Sequence, residues 1–223
     1  MSPPEPSGTD RMLTVNEVFY SIQGEGTRAG RPCVFVRLTG CPLRCRWCDT
    51  RYAFDEGTRR AEEDVAAEIE TFPCRLLLLT GGEPLAQAAA FPFVTQLLSR
   101  GWEVVVETSG HVRLDPLDPR AVVVMDIKTP GSGEVGRTDW TNLDRLRPHD
   151  ELKLVIGDRA DFEWARGTLR EKRLAERCTV LFSPVHGELD PGELARWILE
   201  DGLPVRLQVQ LHRYLWPDRT RGV

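Results

Sequence analysis

Residues 76–84 read Leu-Leu-Leu-Leu-Thr-Gly-Gly-Glu-Pro, an apolar run that ends in a glycine-rich turn. Such a run is typical of a strand that is buried on both faces of a parallel sheet. Comparable runs recur at Cys33–Leu38, Leu76–Thr80, Glu103–Glu107, Val122–Asp126, Leu152–Ile156, Cys178–Phe182 and Val205–Gln210. Helix-like patterns separate several of them, at Arg59–Glu70, Phe91–Arg100, Asp158–Ala175 and Pro191–Glu200. This alternation predicts an α/β fold whose six or seven parallel strands curl into a partial barrel.

One crossover departs from the alternation. Between Thr108 and Arg120 the chain has two prolines and no helical period, which predicts that the helix of this crossover is missing. Residues 1–10 are polar and rich in proline. We therefore expect a disordered tail over residues 1–10 and a single domain over residues 11–223.

Composition narrows the class of protein. The 223 residues are 41% hydrophobic, enough for a sizeable core, and carry a formal net charge of −5. An acidic chain without basic clusters is a poor nucleic-acid binder. No apolar stretch approaches the roughly 20 residues that span a bilayer, and the N-terminus lacks the cationic and apolar regions of a signal peptide. We therefore expect a cytoplasmic protein that binds neither nucleic acid nor membrane.

Polar side chains follow four of the predicted strands. They occupy Thr80–Glu83, Glu107–Gly110, Asp126–Lys128 and Ser183–His186. Because the carboxyl ends of parallel strands form the catalytic face of an α/β barrel, these groups predict one shared site. In the last predicted strand, period-two alternation places Gln208, Gln210 and His212 on one face, which would be a poor core but a good wall for a ligand.

The six cysteines are unevenly spaced. Three stand alone, whereas Cys41, Cys45 and Cys48 form a C-x3-C-x2-C cluster directly after the first apolar run. A structural zinc site needs a fourth ligand, which would have to come from a remote residue such as Cys33 or Cys178. On a four-iron cluster, three thiolates would leave one iron open to an exogenous ligand. The spacing therefore indicates metal or redox chemistry, with both kinds of site still open.

The cysteine spacing, together with Trp47 and the turn Gly81–Pro84, resembles the radical S-adenosylmethionine superfamily. The resemblance implies a partial, incomplete TIM-like (β/α) barrel with about six parallel strands and reduced helices. It also implies a [4Fe-4S] cluster on Cys41, Cys45 and Cys48, whose open iron binds S-adenosylmethionine. An electron donor such as flavodoxin is usual for the superfamily.

The flanking segments are similar to the 7-carboxy-7-deazaguanine synthase family. They are Glu17–Gly26, Gly30–Pro32, Phe35–Leu38, Cys48–Thr50 and Leu207–His212. The similarity implies a homodimeric lyase of 7-deazapurine and queuosine precursor biosynthesis. It would convert 6-carboxy-5,6,7,8-tetrahydropterin to 7-carboxy-7-deazaguanine with loss of ammonia. Two alternatives stay open: an activating enzyme for glycyl-radical proteins, which shares the cluster, and a zinc or iron–sulfur module without activity.

Site residues follow from the same resemblance, position by position. The pterin substrate would contact Ile22, Gln23, Gly24, Glu25, Arg37, Thr80, His212 and Pro217. S-adenosylmethionine would contact Gly82, Glu83, Glu107, Ser109, Asp126, Ile127, Lys128, Ser183, Pro184, Val185 and His186. Thr50 would bind Mg²⁺, with substrate atoms completing the coordination shell. Lys128 is also a candidate ion-pair partner for Glu107.

Overall fold

The computed structural model describes residues 11–223, so the tail expected over residues 1–10 lies outside the described residues. The strands are β1 Met12–Ile22, β2 Pro32–Leu38, β3 Thr58–Ala61, β4 Leu76–Gly81, β5 Glu103–Thr108, β6 Val122–Ile127, β7 Glu151–Ile156, β8 Thr179–Pro184 and β9 Arg206–Leu207. The α-helices are α1 Glu62–Ile69, α2 Ala90–Ser99, α3 Arg159–Glu171, α4 Pro191–Glu200 and α5 Leu211–Leu215.

These strands form one open sheet in the order β3-β1-β2-β4-β5-β6-β7-β8-β9. β2 and β4 to β9 run parallel, whereas β1 is antiparallel to both β2 and β3. Since β3 and β9 are the two edges, the barrel is not closed. The predicted α/β fold and partial barrel are confirmed, with six full parallel strands and a seventh, β9, of only two residues.

The first strand was not predicted, because Asn16 and Glu17 interrupt its apolar pattern. β1 pairs with β2 in antiparallel register and places Phe19 opposite Phe35. The two rings stack with their centroids 4.6 Å apart. β1 thus extends the parallel sheet through an antiparallel pair with β2, and β3 pairs antiparallel with β1 at the edge.

Two predicted helices have different bounds in the structure. Residues 58–61 pair with Met12–Val15 as β3, so α1 begins at Glu62 and the prediction of a helix from Arg59 was wrong. α3 ends at Glu171, where the chain turns through a left-handed residue, Arg173, with φ 51°.

No helix in the described chain is long and apolar enough to span a membrane.

The crossover from β5 to β6 lacks an α-helix, as predicted from residues 108–120. The buried side chain of Asn142 supplies backbone hydrogen bonds there instead. Its Nδ2 donates to the carbonyls of Gly110 and Val112 at 3.1 and 2.9 Å, and its Oδ1 accepts from the amide of Leu114 at 2.9 Å. Asn142 itself lies in the next crossover, from β6 to β7, which is built from three short 3-10 turns.

The last strand is shorter than predicted. β9 ends at Leu207, although the amide of Gln208 still donates to the carbonyl of Phe182 at 2.9 Å. The chain then leaves the sheet, because the amide of Leu211 donates to the carbonyl of Gly24 at 3.0 Å. The prediction of a strand over Val205–Gln210 was therefore wrong beyond Leu207, and His212 lies in the short helix α5.

The inner face of the sheet changes from apolar to charged toward the carboxyl ends of the strands. Its lower part is a buried cluster that includes Phe35, Leu78, Val105 and Val124. Because side chains two residues apart share a face, the next inward positions are Arg37, Thr80, Glu107 and Asp126. The helices cover the other face, where the main core lies. The fold thus places polar groups over an apolar base, inside the open barrel.

Candidate active site

A cavity of 460 Å³ opens at the carboxyl end of the sheet. Residues from all four predicted strand ends line it, namely Thr80, Gly81, Gly82, Glu107, Thr108, Ser109, Asp126, Lys128, Ser183, Pro184, Val185 and His186. So do the three clustered cysteines and the N-terminal segment, namely Cys41, Cys45, Cys48, Thr50, Ile22, Gln23, Gly24, Glu25, Arg37 and His212. The structure therefore brings these side chains to one cavity, whose volume is typical of a small-molecule site.

The cysteine loop lies directly on the glycine turn that follows β4. The amide of Gly82 donates to the carbonyl of Leu38 at 2.9 Å, and the amide of Glu83 donates to the carbonyl of Gly40 at 2.7 Å. A Cβ atom at Gly82 would lie 2.2 Å from the oxygen of Gly40, so a larger residue does not fit. Glycine at this position lets the two backbones approach, which fixes the loop over the end of β4.

The three clustered thiols are half-buried and line the same cavity. Burial raises the pKa of Cys41 and of Cys45. Within residues 11–223, no three or more histidine, cysteine or acidic side chains are grouped to hold one metal ion. The other three cysteines lie elsewhere, and burial raises the pKa of Cys33 and of Cys178 to about 12. Cys41, Cys45 and Cys48 nevertheless all line the cavity, and three thiols on one loop suit a multi-iron cluster with one open iron rather than a single metal ion.

Glu25 lines the cavity, and both of its carboxylate oxygens accept hydrogen bonds. Oε2 accepts from Nζ of Lys153 at 2.9 Å and from Nε2 of Gln208 at 2.8 Å, and Oε1 accepts from Nε2 of Gln210 at 3.0 Å. Burial acts to raise the pKa of Glu25, but the charge of Lys153 and the hydrogen bonds from Gln210 and Lys153 outweigh it and lower that pKa to about 2. Glu25 is therefore ionised at neutral pH and suits a ligand edge rich in N–H donors.

Lys153 is the cation in this part of the wall. Its Nζ contacts the carboxylates of Glu25, Glu107 and Asp126. Burial acts to lower the pKa of Lys153, but the three carboxylates raise it well above its ordinary value. Burial also raises the pKa of Glu107 despite the charge of Lys153, and Glu25 and Asp126 add to the rise. Lys153 therefore stays charged, while Glu107 takes up a proton more readily than an ordinary glutamate.

Lys128 lies closer to the cysteines and pairs with Asp126, whose Oδ2 is 2.6 Å from its Nζ. The candidate pair between Lys128 and Glu107 does not form, because Glu107 is bound by Lys153 and by the hydroxyl of Thr80, at 3.1 Å. Burial acts to lower the pKa of Lys128, but Asp126 and Cys45 raise it. A positive charge therefore lies beside the cysteine loop.

Arg37 faces the cavity from β2 and forms an ion pair with Glu17, 2.7 Å away. The hydroxyl of Tyr52 donates to the same carboxylate at 3.0 Å. The end of the chain reaches this place as well, because the amide of Gly222 donates to Oε2 of Glu17 at 3.2 Å. Glu17 therefore joins Arg37, the segment after the cysteines and the C-terminal residues beside the cavity.

Three predicted contact residues do not line the cavity. Ile127 is buried in the main core, and the tail residues that do line the cavity are Arg219, Thr220 and Val223 rather than Pro217. Glu83 is fully buried, and its carboxylate accepts from the amide of Leu85 at 3.0 Å and from the hydroxyls of Thr108 and Ser109 at 2.8 and 2.6 Å. Its side chain holds the turn after β5, and its backbone amide binds the cysteine loop.

Sequence reasoning missed Lys153 as a site residue. A signal was present, because Lys153 is a charged residue inside the apolar run Leu152–Ile156, where an unpaired cation would be costly. The cavity lining from Arg219 to Val223 had no such signal, since its place depends on how the chain folds back over β1. Gln208 and Gln210 do act together, but as donors to Glu25.

His212 lies beside Gly24, where a Cβ atom would be 2.5 Å from its Nδ1. Burial lowers the pKa of His212 below 6.5; the carboxylates of Glu25 and Asp49 act to raise it, and Arg213 and Arg37 act to lower it. The imidazole is therefore neutral at pH 7 and offers one donor and one acceptor to the cavity.

This shift predicts a pH-dependent stability. Because the folded-state pKa lies below the unfolded one, the unfolded chain binds the proton first, and stability is lost as the pH falls through about 6.5. We expect the melting temperature of the His212→Gln variant to fall less than that of the wild type between pH 7.5 and 5.5. Differential scanning fluorimetry measures this, and equal decreases in the two proteins would contradict it.

Comparison with known proteins bears on this site. The model of the radical SAM superfamily matches residues 35–128, which include the cysteine loop and the glycine turn. A 7-carboxy-7-deazaguanine synthase from Koribacter versatilis is 42% identical over 226 residues, covering 95% of this chain and 100% of the relative. The chain belongs to the 7-carboxy-7-deazaguanine synthase family. A second synthase, from Chlorobaculum tepidum, is 40% identical over 96% of this chain and 99% of its own length.

The fold of this synthase family member also agrees with a solved structure. The crystal structure of QueE from Escherichia coli has a TM-score of 0.75 and 25% sequence identity, covering 90% of this chain and 95% of that one. Membership in the family implies a [4Fe-4S] cluster and S-adenosylmethionine, and the chain is a radical SAM enzyme. These relatives favour the deazaguanine synthase over the glycyl-radical activating enzyme and over a module without activity.

Proposed function

We propose that this chain is a lyase that converts 6-carboxy-5,6,7,8-tetrahydropterin to 7-carboxy-7-deazaguanine with loss of ammonia, in 7-deazapurine and queuosine precursor biosynthesis. The observation that carries the proposal is one cavity that is lined both by the three clustered cysteines and by the ionised Glu25. The names of the relatives support the product.

Glu25 and Arg37 suit the two ends of such a pterin. Glu25 accepts hydrogen bonds, as the 2-amino-pyrimidinone edge of a pterin requires, and Gln23 and the backbone at Ile22 and Gly24 lie next to it. Arg37 offers N–H donors to the substrate carboxylate while Glu17 holds it in place. Thr80 and His212 lie on the wall between these two groups.

The cavity residues at the carboxyl ends of the strands suit the cofactor. When bound, the cluster on the three cysteines and S-adenosylmethionine supply the one-electron chemistry that starts the reaction. The chain's own part is to orient and shield them. We assign the S-adenosylmethionine contacts to Gly82, Glu107, Ser109, Asp126, Lys128, Ser183, Pro184, Val185 and His186. Glu83 supports them indirectly, because it fixes the hydroxyl and the amide of Ser109.

Thr50 is the candidate Mg²⁺ ligand. It lies two residues after Cys48 and lines the cavity, and its hydroxyl does not cap the 3-10 turn that follows. Its nearest polar neighbour is Sγ of Cys48, at 3.8 Å. Because Mg²⁺ commonly takes one or two protein ligands and completes its shell with water and substrate oxygens, one hydroxyl is enough here.

A Thr50→Val variant tests this role. We expect the wild type to make product several-fold faster when Mg²⁺ is added after chelation, and the variant to lose that response because it lacks the ligand oxygen. Thr95→Val on the surface of α2 is the matched control and should respond like the wild type. The rate of product formation against Mg²⁺ concentration measures the effect. A full Mg²⁺ response in Thr50→Val would contradict the assignment.

The proposal includes partners and organisation. Residues 11–223 act as a single radical SAM domain, an electron donor such as flavodoxin reduces the cluster, and the enzyme is a homodimer. The three cysteines support the need for a donor, since a cluster held by them starts the reaction only after it receives an electron.

Anaerobic reconstitution with iron and sulfide tests the proposed function. The reduced enzyme is incubated with S-adenosylmethionine and the carboxypterin, and the products are separated by liquid chromatography and mass spectrometry. We expect a product with the mass and absorbance of 7-carboxy-7-deazaguanine. If no deazapurine forms while a glycyl radical appears on an added partner chain, the activating-enzyme alternative is correct instead.

A further inference from the structure

The segment that carries Glu25 is held from below by a glutamate outside the cavity. Glu151 is the first residue of β7, 2% exposed, and absent from the cavity lining. Its Oε2 accepts from the amide of Thr27 at 2.9 Å, and its Oε1 accepts from the hydroxyl of Thr27 at 2.5 Å and from Nη1 of Arg28 at 3.3 Å. The carboxylate thus binds the short 3-10 turn Gly26–Arg28 that follows Glu25.

Gly26 shows how closely the turn 26–28 packs on Glu151. Its φ is +73°, and a Cβ atom there would lie 2.8 Å from Oε2 of Glu151. Its amide donates to Oε1 of Gln208 at 2.6 Å, and Nε2 of Gln208 in turn donates to Glu25. Gln208 therefore binds both Glu25 and Gly26, and Glu151 binds the two residues that follow them.

Period two along β7 explains the arrangement. Glu151, Lys153 and Val155 share the inner face, and Lys153 and Val155 line the cavity. Glu151 binds the backbone of the turn, and one step higher Lys153 binds the carboxylate of Glu25. The inner face of β7 therefore positions the turn 26–28 through Glu151 and orients the side chain of Glu25 through Lys153.

We infer that Glu151 is a positioning residue for pterin binding, which holds residues 26–28 so that Glu25 points into the cavity. The inference rests on the proposed function, in which Glu25 binds the substrate. Glu151 touches no ligand. Its loss should weaken the binding of the pterin and leave the binding of S-adenosylmethionine unchanged, because Glu151 bonds Thr27 and Arg28 and none of the residues assigned to S-adenosylmethionine.

The Glu151→Gln variant tests the inference in the reconstituted enzyme. Its amide group places N–H donors against the donors of Thr27 and Arg28, so we expect the KM for the carboxypterin to rise about tenfold. The Kd for S-adenosylmethionine should not change. The milder Thr27→Val variant, which removes only the hydroxyl bond on an exposed turn, should raise the KM about two- to threefold. It keeps the test valid if Glu151→Gln does not fold.

Glu103→Gln is the matched control. Glu103 begins β5 and binds the side chains of Arg28 and Arg31 from the more exposed side of the same segment, at 2.6 and 2.7 Å. The Glu103→Gln substitution should change the KM for the carboxypterin by less than about twofold, since the partly exposed pairs of Glu103 with Arg28 and Arg31 contribute little. Hydrogen exchange supplies a readout that does not depend on activity, because amides in residues 23–31 should exchange faster in Glu151→Gln than in Glu103→Gln.

Unchanged KM in a folded Glu151→Gln variant, or an equal rise in Glu103→Gln, would overturn the inference. A parallel loss of S-adenosylmethionine affinity would also overturn it, because it would show a general loss of structure. If the wild type itself makes no deazapurine, the proposed function has failed, and unchanged exchange in residues 23–31 would then refute the anchoring role as well.

Discussion

The Cys45→Ala variant is expected to lose the brown iron–sulfur chromophore and all product formation, with residual activity below about one thousandth of the wild type, since the chemistry starts at the cluster. Cys45 is one of only three cysteines in the cavity lining, so no fourth thiol there replaces it. Iron and sulfide content per chain, the visible spectrum and the rate of deazapurine formation measure the effect. The wild type should contain about four irons.

Cys74→Ser is the control for this prediction. Cys74 is also half-buried, but its Sγ lies against the carbonyl of Pro32 at 3.1 Å, away from the cavity. Its replacement should leave the iron content and the activity unchanged. Four irons in Cys45→Ala, or loss of iron in Cys74→Ser, would refute the assignment of the cluster to the Cys41–Cys48 loop.

The Glu25→Gln variant should have the second largest effect. Because the pKa of Glu25 is about 2, the substitution removes a charge at pH 7. The new amide also places N–H donors against Gln208 and Gln210. Truncation of one partner of a buried charge pair costs about 3–4 kcal/mol, so we expect kcat/KM for the carboxypterin to fall about 10²- to 10³-fold.

Steady-state kinetics with the pterin, together with equilibrium binding of S-adenosylmethionine, measure this effect. The affinity for S-adenosylmethionine should fall much less than kcat/KM for the carboxypterin, because Glu25 meets the assigned cofactor contacts Glu107 and Asp126 only through Lys153. Glu163→Gln, on the exposed side of α3, is the matched control and should behave as the wild type. A Glu25→Gln variant with unchanged kcat/KM would show that the pterin edge does not bind at Glu25.

Much of this site was predictable because a strand end is a local signal. The polar groups after β4, β5, β6 and β8 share a face by the geometry of parallel strands, and the structure places them in one cavity. The last wall was predicted as a strand with Gln208, Gln210 and His212 in line. In fact the strand ends at Leu207, and the side-chain amides of Gln208 and Gln210 both donate to Glu25, a largely buried carboxylate that needs hydrogen-bond donors.

Other parts depend on contacts between distant segments, which periodicity does not reveal. Glu17 interrupts the apolar pattern of β1. Its role depends on the ion pair with Arg37 and on the hydrogen bond from Gly222, neither of which the pattern predicts. In the sequence, Lys153 is only a charged residue within an apolar strand. The structure shows that its partners are Glu25, Glu107 and Asp126. Glu151 similarly gains a role only from the turn packed on it.

The number of products formed per molecule of S-adenosylmethionine tests the central claim most directly. The proposed reaction loses ammonia without a net change of oxidation state, so S-adenosylmethionine would serve as a catalyst that is not consumed. The measurement supplies the reduced, reconstituted enzyme with carboxypterin in about tenfold excess over S-adenosylmethionine and follows both by mass spectrometry. We predict that 7-carboxy-7-deazaguanine accumulates well beyond the amount of S-adenosylmethionine, which is not consumed. Consumption of S-adenosylmethionine without any deazapurine would contradict the account.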